Sequence, residues 1–157
     1  MGHIFAVFSP CELTEKDRRD AEGNYPGLRL PEEGRLPSHL DIEAALSAHP
    51  DWQVEFRIGD DWWTAFIRSP TRTASLFVDH YSGDPSQPHS FHFDTGDADL
   101  VADVTAAIAE RCGSFLVVDE SGLIVVLVNP DGSRSDLGAE SSGGSRPGRK
   151  QLVGRRE

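Results

Sequence analysis

The stretch W52-Q-V-E-F-R-I-G-D-D-W-W-T-A-F-I-R68 decides how this chain is read. Trp52, Val54, Phe56 and Ile58 alternate with Gln53, Glu55 and Arg57, the two-residue period of a half-buried strand. Gly59-Asp60 supplies a two-residue turn, because glycine at the first central position accepts positive φ. That turn sets Phe56 opposite Trp63, Val54 opposite Ala65 and Trp52 opposite Ile67, which makes one side apolar. The other side pairs Arg57 with Trp62, Glu55 with Thr64 and Gln53 with Phe66. A one-residue slip would mix the two faces, so the pattern and the turn support the same β-hairpin.

Working outward, HIFAVF at 3–8 reads as a short strand stopped by Pro10. Residues 9–37 carry charge runs and three prolines. Glu15 to Glu22 has a helix cap in Thr14 but no apolar stripe, so a long irregular connection is expected. Ser38 or Asp41 caps a helix over 39–49, with Leu40, Ile42, Ala45 and Leu46 on its buried side. After the hairpin come a strand at 74–80, a turn-rich loop and a strand at 90–94, with Phe91 and Phe93 on one face. Asp97 caps the clearest helix, Leu100, Val101, Val104, Ile108 and Cys112 form its apolar stripe, and Gly113 ends it. The segments 115–119 and 123–128 are apolar at nearly every position, as strands covered on both faces are.

These elements predict an α+β domain over 1–128: a mainly antiparallel sheet of about six to seven strands with two helices on one face. A ferredoxin-like core with an added hairpin is one topology that fits the order. Residues 129–157 are rich in Gly and Ser and then basic, with five Arg or Lys against two Glu from Gly138 on. They predict a disordered tail of opposite charge to the body.

Composition narrows the function. The 157 residues carry a formal charge of −11. That disfavours a nucleic-acid backbone or an anionic membrane surface as partner and favours a basic protein. No segment reaches the length of a membrane span and the N-terminus lacks a basic signal-peptide region, so a cytoplasmic protein is expected. Thirteen Arg against two Lys suggests a GC-rich, bacterial coding genome. Cys11 and Cys112 make neither a disulfide framework nor a zinc motif.

Little in the sequence points to catalysis. There is no nucleophile elbow, and GSRPGRK in the tail lacks the upstream glycine and the following Ser or Thr of a phosphate loop. Cys112 falls on a buried stripe, and Cys11 has no basic surroundings to activate it. His80, His89, His92 and Asp94 are the one cluster with metal-ligand residue types, and His92 and Asp94 share a strand face. Their spacing matches no common zinc signature. A metal-dependent enzyme built on them is the alternative to a binding protein; no cofactor is otherwise implied.

The more informative feature is the second face of the hairpin, where Trp62, Phe66 and Phe77 point away from the core beside Glu55, Arg57 and Asp79. Either residues 9–37 or a second copy covers these rings, or they anchor a partner. Asp60, Asp61, Trp62, Asp79, Tyr81 and Asp84 are the candidate contact residues.

The run D97-A-D-L-V-A-D-V-T-A-A-I-A-E-R-C-G-S-F-L-V-V-D-E-S-G-L-I-V-V-L127 joins a capped helix, a glycine, an apolar strand, an acidic turn and a second strand. With the acidity, this layout over residues 38–128 resembles the small bacterial immunity proteins of polymorphic-toxin systems. The resemblance implies a non-enzymatic inhibitor that binds a cognate toxin, commonly a basic nuclease. It carries no site residue across, because no motif matches position by position. A structural or adaptor subunit, monomeric or homodimeric, is the third reading.

Overall fold

The computed structural model describes residues 4–31, 34–122 and 125–137. Twelve elements follow in order. They are β1 (Phe5–Phe8), a 3₁₀ turn (Pro10–Glu12), α1 (Glu15–Asn24), α2 (His39–Ser47), β2 (Gln53–Ile58), β3 (Trp63–Arg68), β4 (Thr73–Val78), β5 (His92–Gly96), α3 (Ala98–Cys112), β6 (Phe115–Asp119), β7 (Val125–Val128) and β8 (Arg134–Asp136). The protein is α+β. Its single sheet runs β2-β3-β4-β5-β1-β6-β7-β8, with every neighbouring pair antiparallel. The first strand thus enters the middle, and α3 carries the chain from β5 over β1 to β6.

The inner face holds the main core. Phe5, Val7, Trp63, Ala65, Ile67, Leu76, Phe93, Phe115 and Val117 pack there against Ile42, Ala45 and Leu46 of α2 and against Leu100, Val104 and Ile108 of α3. Both helices start as their sequences direct. Ser38 and Asp41 form a reciprocal capping box, and the Asp97 carboxylate accepts from the Asp99 and Leu100 amides. Asp41 also takes both ends of the Arg35 guanidinium, at 2.6 and 3.2 Å, and approaches Arg111 at 3.5 Å. The Arg35 pair is the main reason that the Asp41 carboxyl is held well below the usual carboxylate range. One carboxylate therefore ties the start of α2 to the end of α3.

The sheet has eight strands, close to the six to seven expected, and two of the helices share one face. The structure differs from the sequence expectations in several details. A third helix, α1, forms in the supposedly irregular 9–37 segment and lies on the opposite face from α2 and α3. It has no fully buried residue of its own. Apart from Ala21, which packs against the outer-face cluster, what holds it is polar: the Arg18 guanidinium donates to the carbonyls of Pro10, Leu30 and Pro31, and Glu22 accepts from the Leu30 amide. The folded unit also runs past residue 128, because β8 pairs with β7 and Leu137 is buried; residues 138–157 of the expected tail lie outside the described residues. Finally, the topology is not ferredoxin-like with an added hairpin, since β1 is flanked by β5 and β6 inside one antiparallel array.

The hairpin forms with the expected faces but a different register. Phe56 pairs with Ala65 and Val54 with Ile67, a shift of two residues, which leaves each side chain on its face. The Gly59 amide donates to the Trp62 carbonyl at 2.8 Å, so the turn is centred on Asp60-Asp61. Gly59 is there for space, since a Cβ would lie 2.2 Å from Cε2 and Nε1 of Trp62. No described helix is long and apolar enough to cross a membrane.

Candidate protein-binding face

The outer face of the sheet divides into two halves. Over β6, β7 and β8 it is sealed: Leu28 and Leu30, which follow α1, bury against Leu116, Val125, Leu127 and Leu137, with Leu13 and Tyr25 alongside. This explains why β6 and β7 are apolar on both faces. Over β3, β4 and β5 no described element covers the outer face. The described part of the 9–37 segment therefore covers the far half of the sheet and not Trp62, Phe66 and Phe77.

The open half carries a row of rings. The Trp62 indole stacks on Phe77 with centroids 5.8 Å apart and planes 13° off parallel. Phe77 is followed by His92 at 5.5 Å. The row arises because register sets Phe77 opposite both Thr64 of β3 and His92 of β5. Thr64 is buried and donates its hydroxyl to the Leu76 carbonyl at 2.6 Å, so this floor has no loose polar group. Phe66 stands exposed beside the row with the Arg57 guanidinium 5.4 Å over its ring. Phe8 of β1 and Ile4 just before it extend the apolar surface at 37% and 46% exposure.

Carboxylates surround these rings. His92 lies between Asp79, 3.7 Å from Nδ1, and Asp94, 3.5 Å from Nε2. Asp94 is the extra residue of a bulge opposite Ser75 and Leu76. A shallow cleft of about 310 Å3 beside His92 has Glu12 and Asp79 on its walls, and a second of about 320 Å3 lies along Phe66, Arg68 and Ser75. Elsewhere Arg35, Arg72, Arg111 and Arg134 are paired with Asp41, Asp97, Asp99 and Asp103. Among the described residues no Lys or Arg pairs with Asp60, Asp61, Asp79 or Asp94.

The candidate residues from the sequence fall into two groups. Trp62 and Asp79 meet at the ring row, with Asp60 and Asp61 exposed in the adjoining turn. Tyr81 does not belong: it is 7% exposed, with its ring 6.0 Å from His39 in the inner core. The cause is His80, whose φ of 54° turns the chain inward after β4. Asp84 is exposed but is spent on the Ser86 amide and hydroxyl, in a loop whose Pro85 carbonyl accepts from the Leu40 amide of α2. The four metal candidates are not focused on one point. Both His89 nitrogens are engaged, Nδ1 with the Gln87 carbonyl at 2.9 Å and Nε2 with the Ser82 amide at 3.2 Å. Among the described residues no group of three His, Cys, Asp or Glu side chains could hold a metal ion. Cys112 is buried, and burial pushes its thiol up to about 11; Cys11 is exposed, and neither is in a disulfide.

The sequence reading missed Ile4, Phe8 and Glu12 as parts of this face. HIFAVF is apolar at each position after His3, so alternation could not tell which of its residues face outward. No protein-family model matches the chain, and no curated protein or solved structure matches it either.

Proposed function

We propose that this chain is a non-enzymatic protein-binding domain of the immunity type, a cytoplasmic inhibitor that captures a basic toxin on the open half of its outer sheet face. The observation that carries this reading is the Trp62-Phe77-His92 row, bare of any covering element among the described residues and bordered by carboxylates that no described Lys or Arg pairs with. Large rings that are held rigidly lose little side-chain entropy on binding and dominate interface energetics. An Arg or Lys from the partner can lie on the ring faces while Asp79 or Asp94 neutralises it. The charge of −11 adds long-range attraction to a basic surface.

The test is a titration of the purified chain against the protein encoded beside it in its genome. Trp62→Ala and Phe77→Ala should each weaken binding by about 30-fold or more, the hot-spot range. Asp79→Asn with Asp94→Asn should chiefly slow association at low salt. Unchanged affinity in the ring variants of a complex that forms would refute the assignment of the face.

A further inference from the structure

Beyond that face, the sheet has an edge that no described strand pairs with, and its chemistry specifies its occupant. The two edges differ. β8 is three exposed polar residues, too short to template another strand, with Arg134 paired to Asp103. β2 is six residues without proline, and its inner side is incompletely covered. Val54 and Phe56 are only half-buried, whereas their neighbours Trp63, Ala65 and Ile67 on β3 are at most 1% exposed; Ile58 is 60% exposed.

Backbone direction along β2 follows from one hydrogen bond. Gly59 donates to Trp62 across the hairpin, so Gly59, Arg57, Glu55 and Gln53 direct their backbone groups at β3. Val54, Phe56 and Ile58, the alternate residues, direct theirs at the open edge. We infer that this edge pairs antiparallel with the same edge of a second copy, about a two-fold axis at Phe56, joining two sheets into one.

That register satisfies every group it brings together. Phe56 faces Phe56 of the second copy, and Val54 faces Ile58, so the three residues with free backbone groups form hydrogen-bonded pairs across the axis. Their side chains extend the inner core across the junction. On the outer side Glu55 meets Arg57 of the second copy, and Arg57 meets Glu55. Within one chain these two already pair at 3.0 Å. The dimer therefore alternates four charges in a closed cluster, a self-complementary pattern of the kind a two-fold interface requires. No β3, β4 or β5 residue takes part, so dimerisation leaves the ring row free and stands or falls separately from the proposed toxin binding.

Sedimentation and light scattering of the full chain, alone, test the inference at about 0.15 M salt, where the Debye length is about 8 Å. A concentration-dependent dimer is expected. Glu55→Arg alone places two cations face to face across the axis, and Arg57→Glu alone places two anions. Each should weaken association on the order of 10- to 100-fold, from two opposed pairs. Mixing the two single variants should restore a one-to-one heterodimer, and the double exchange in one chain should restore the homodimer. Circular dichroism checks that each variant is folded. A wild-type chain that stays monomeric up to millimolar concentration overturns the inference and leaves the edge for a strand of another protein. A dimer that ignores both single variants overturns this register.

Discussion

Replacing Gly59 by alanine tests the account of the hairpin at its tightest point. A Cβ at 59 would sit 2.2 Å from two indole atoms of Trp62 and 2.8 Å from a third. No contact is that short, so the indole must leave its place. Gly59 itself does not require positive φ, and the backbone accepts alanine without strain. The cost is then the loss of the Trp62-Phe77 stack and part of the burial beneath it, about 1–2 kcal/mol. For a domain of this size that lowers Tm by roughly 3–8 °C. The control is the same change in a Trp62→Ala background, where the obstacle is gone. There alanine should be neutral or should stabilise by up to about 1 kcal/mol, because it restricts the unfolded chain. Urea unfolding followed by circular dichroism for the wild type, both singles and the double gives the cycle. A Gly59→Ala cost that persists unchanged without Trp62 would show that glycine is needed for its backbone and would refute the close-approach reading.

Asp41→Ala should destabilise by about 2–4 kcal/mol, since it removes the α2 capping box and leaves Arg35 and Ser38 without their acceptor. Because the folded Asp41 pKa is depressed, its contribution is present above the ordinary carboxylate value of about 3.9 and is lost as pH falls below it; the Asp41→Ala chain should show a flatter acid limb in denaturation. Cys112, with its thiol raised to about 11, carries the opposite sign: the folded state holds the proton more tightly, so stability falls as pH rises from about 9 to 11. An alkylating reagent at pH 8 should accordingly label Cys11 rapidly and Cys112 only on unfolding, and equal rates would contradict its burial. Gly96→Ala should cost about 1–3 kcal/mol, because its Cβ would lie 2.7 Å from Val101 and 3.2 Å from Ala74, where α3 leaves β5; a melt within 1 °C of wild type would refute it.

What the sequence disclosed follows from the range of the forces involved. Period-two alternation placed Trp52 to Ile67 on the correct faces, and caps placed α3 between Asp97 and Gly113, because both signals are local. The hairpin register lies two residues from the one that a Gly59-Asp60 turn predicts, because Gly59 is needed to admit the Trp62 ring and not for a positive φ. The start of α1 was legible in its Thr14 cap, but its formation as a full helix was not, because its support is tertiary: Arg18 reaches carbonyls eight to thirteen residues away. β8 was illegible because three polar residues carry no strand signal. Its place is set by the preceding turn, where Asn129 and Ser133 pair backbone and side chain, and by Leu137 beyond it. At the site, the outward rings Trp62, Phe66 and Phe77 could be read by alternation, but their joining to His92, Phe8 and Glu12 depends on β1 entering between β5 and β6. Tyr81 was misplaced for a related reason, since one left-handed residue reverses the direction that strand periodicity would assign.

The two binding surfaces differ in the sign of their own electrostatics, which separates them in one experiment. The open outer face bears Glu12, Asp60, Asp61, Asp79 and Asp94 around its rings, so two copies of that face repel each other and a basic partner is drawn in. The β2 edge bears one Glu and one Arg, alternating, and is neutral. Screening therefore acts differently on the two. Raising salt from about 0.05 to 0.5 M shortens the Debye length from roughly 14 to 4 Å, and it should slow capture of a basic partner steeply, since that attraction works at long range. Self-association should change little, because screening weakens the Glu55-Arg57 pairs and the repulsion between two chains of −11 at once. If salt dissolved the dimer as sharply as it slowed the partner, the edge would be held chiefly by its Glu55-Arg57 charge pairs, and the backbone hydrogen bonds centred on Phe56 could not be its main cause.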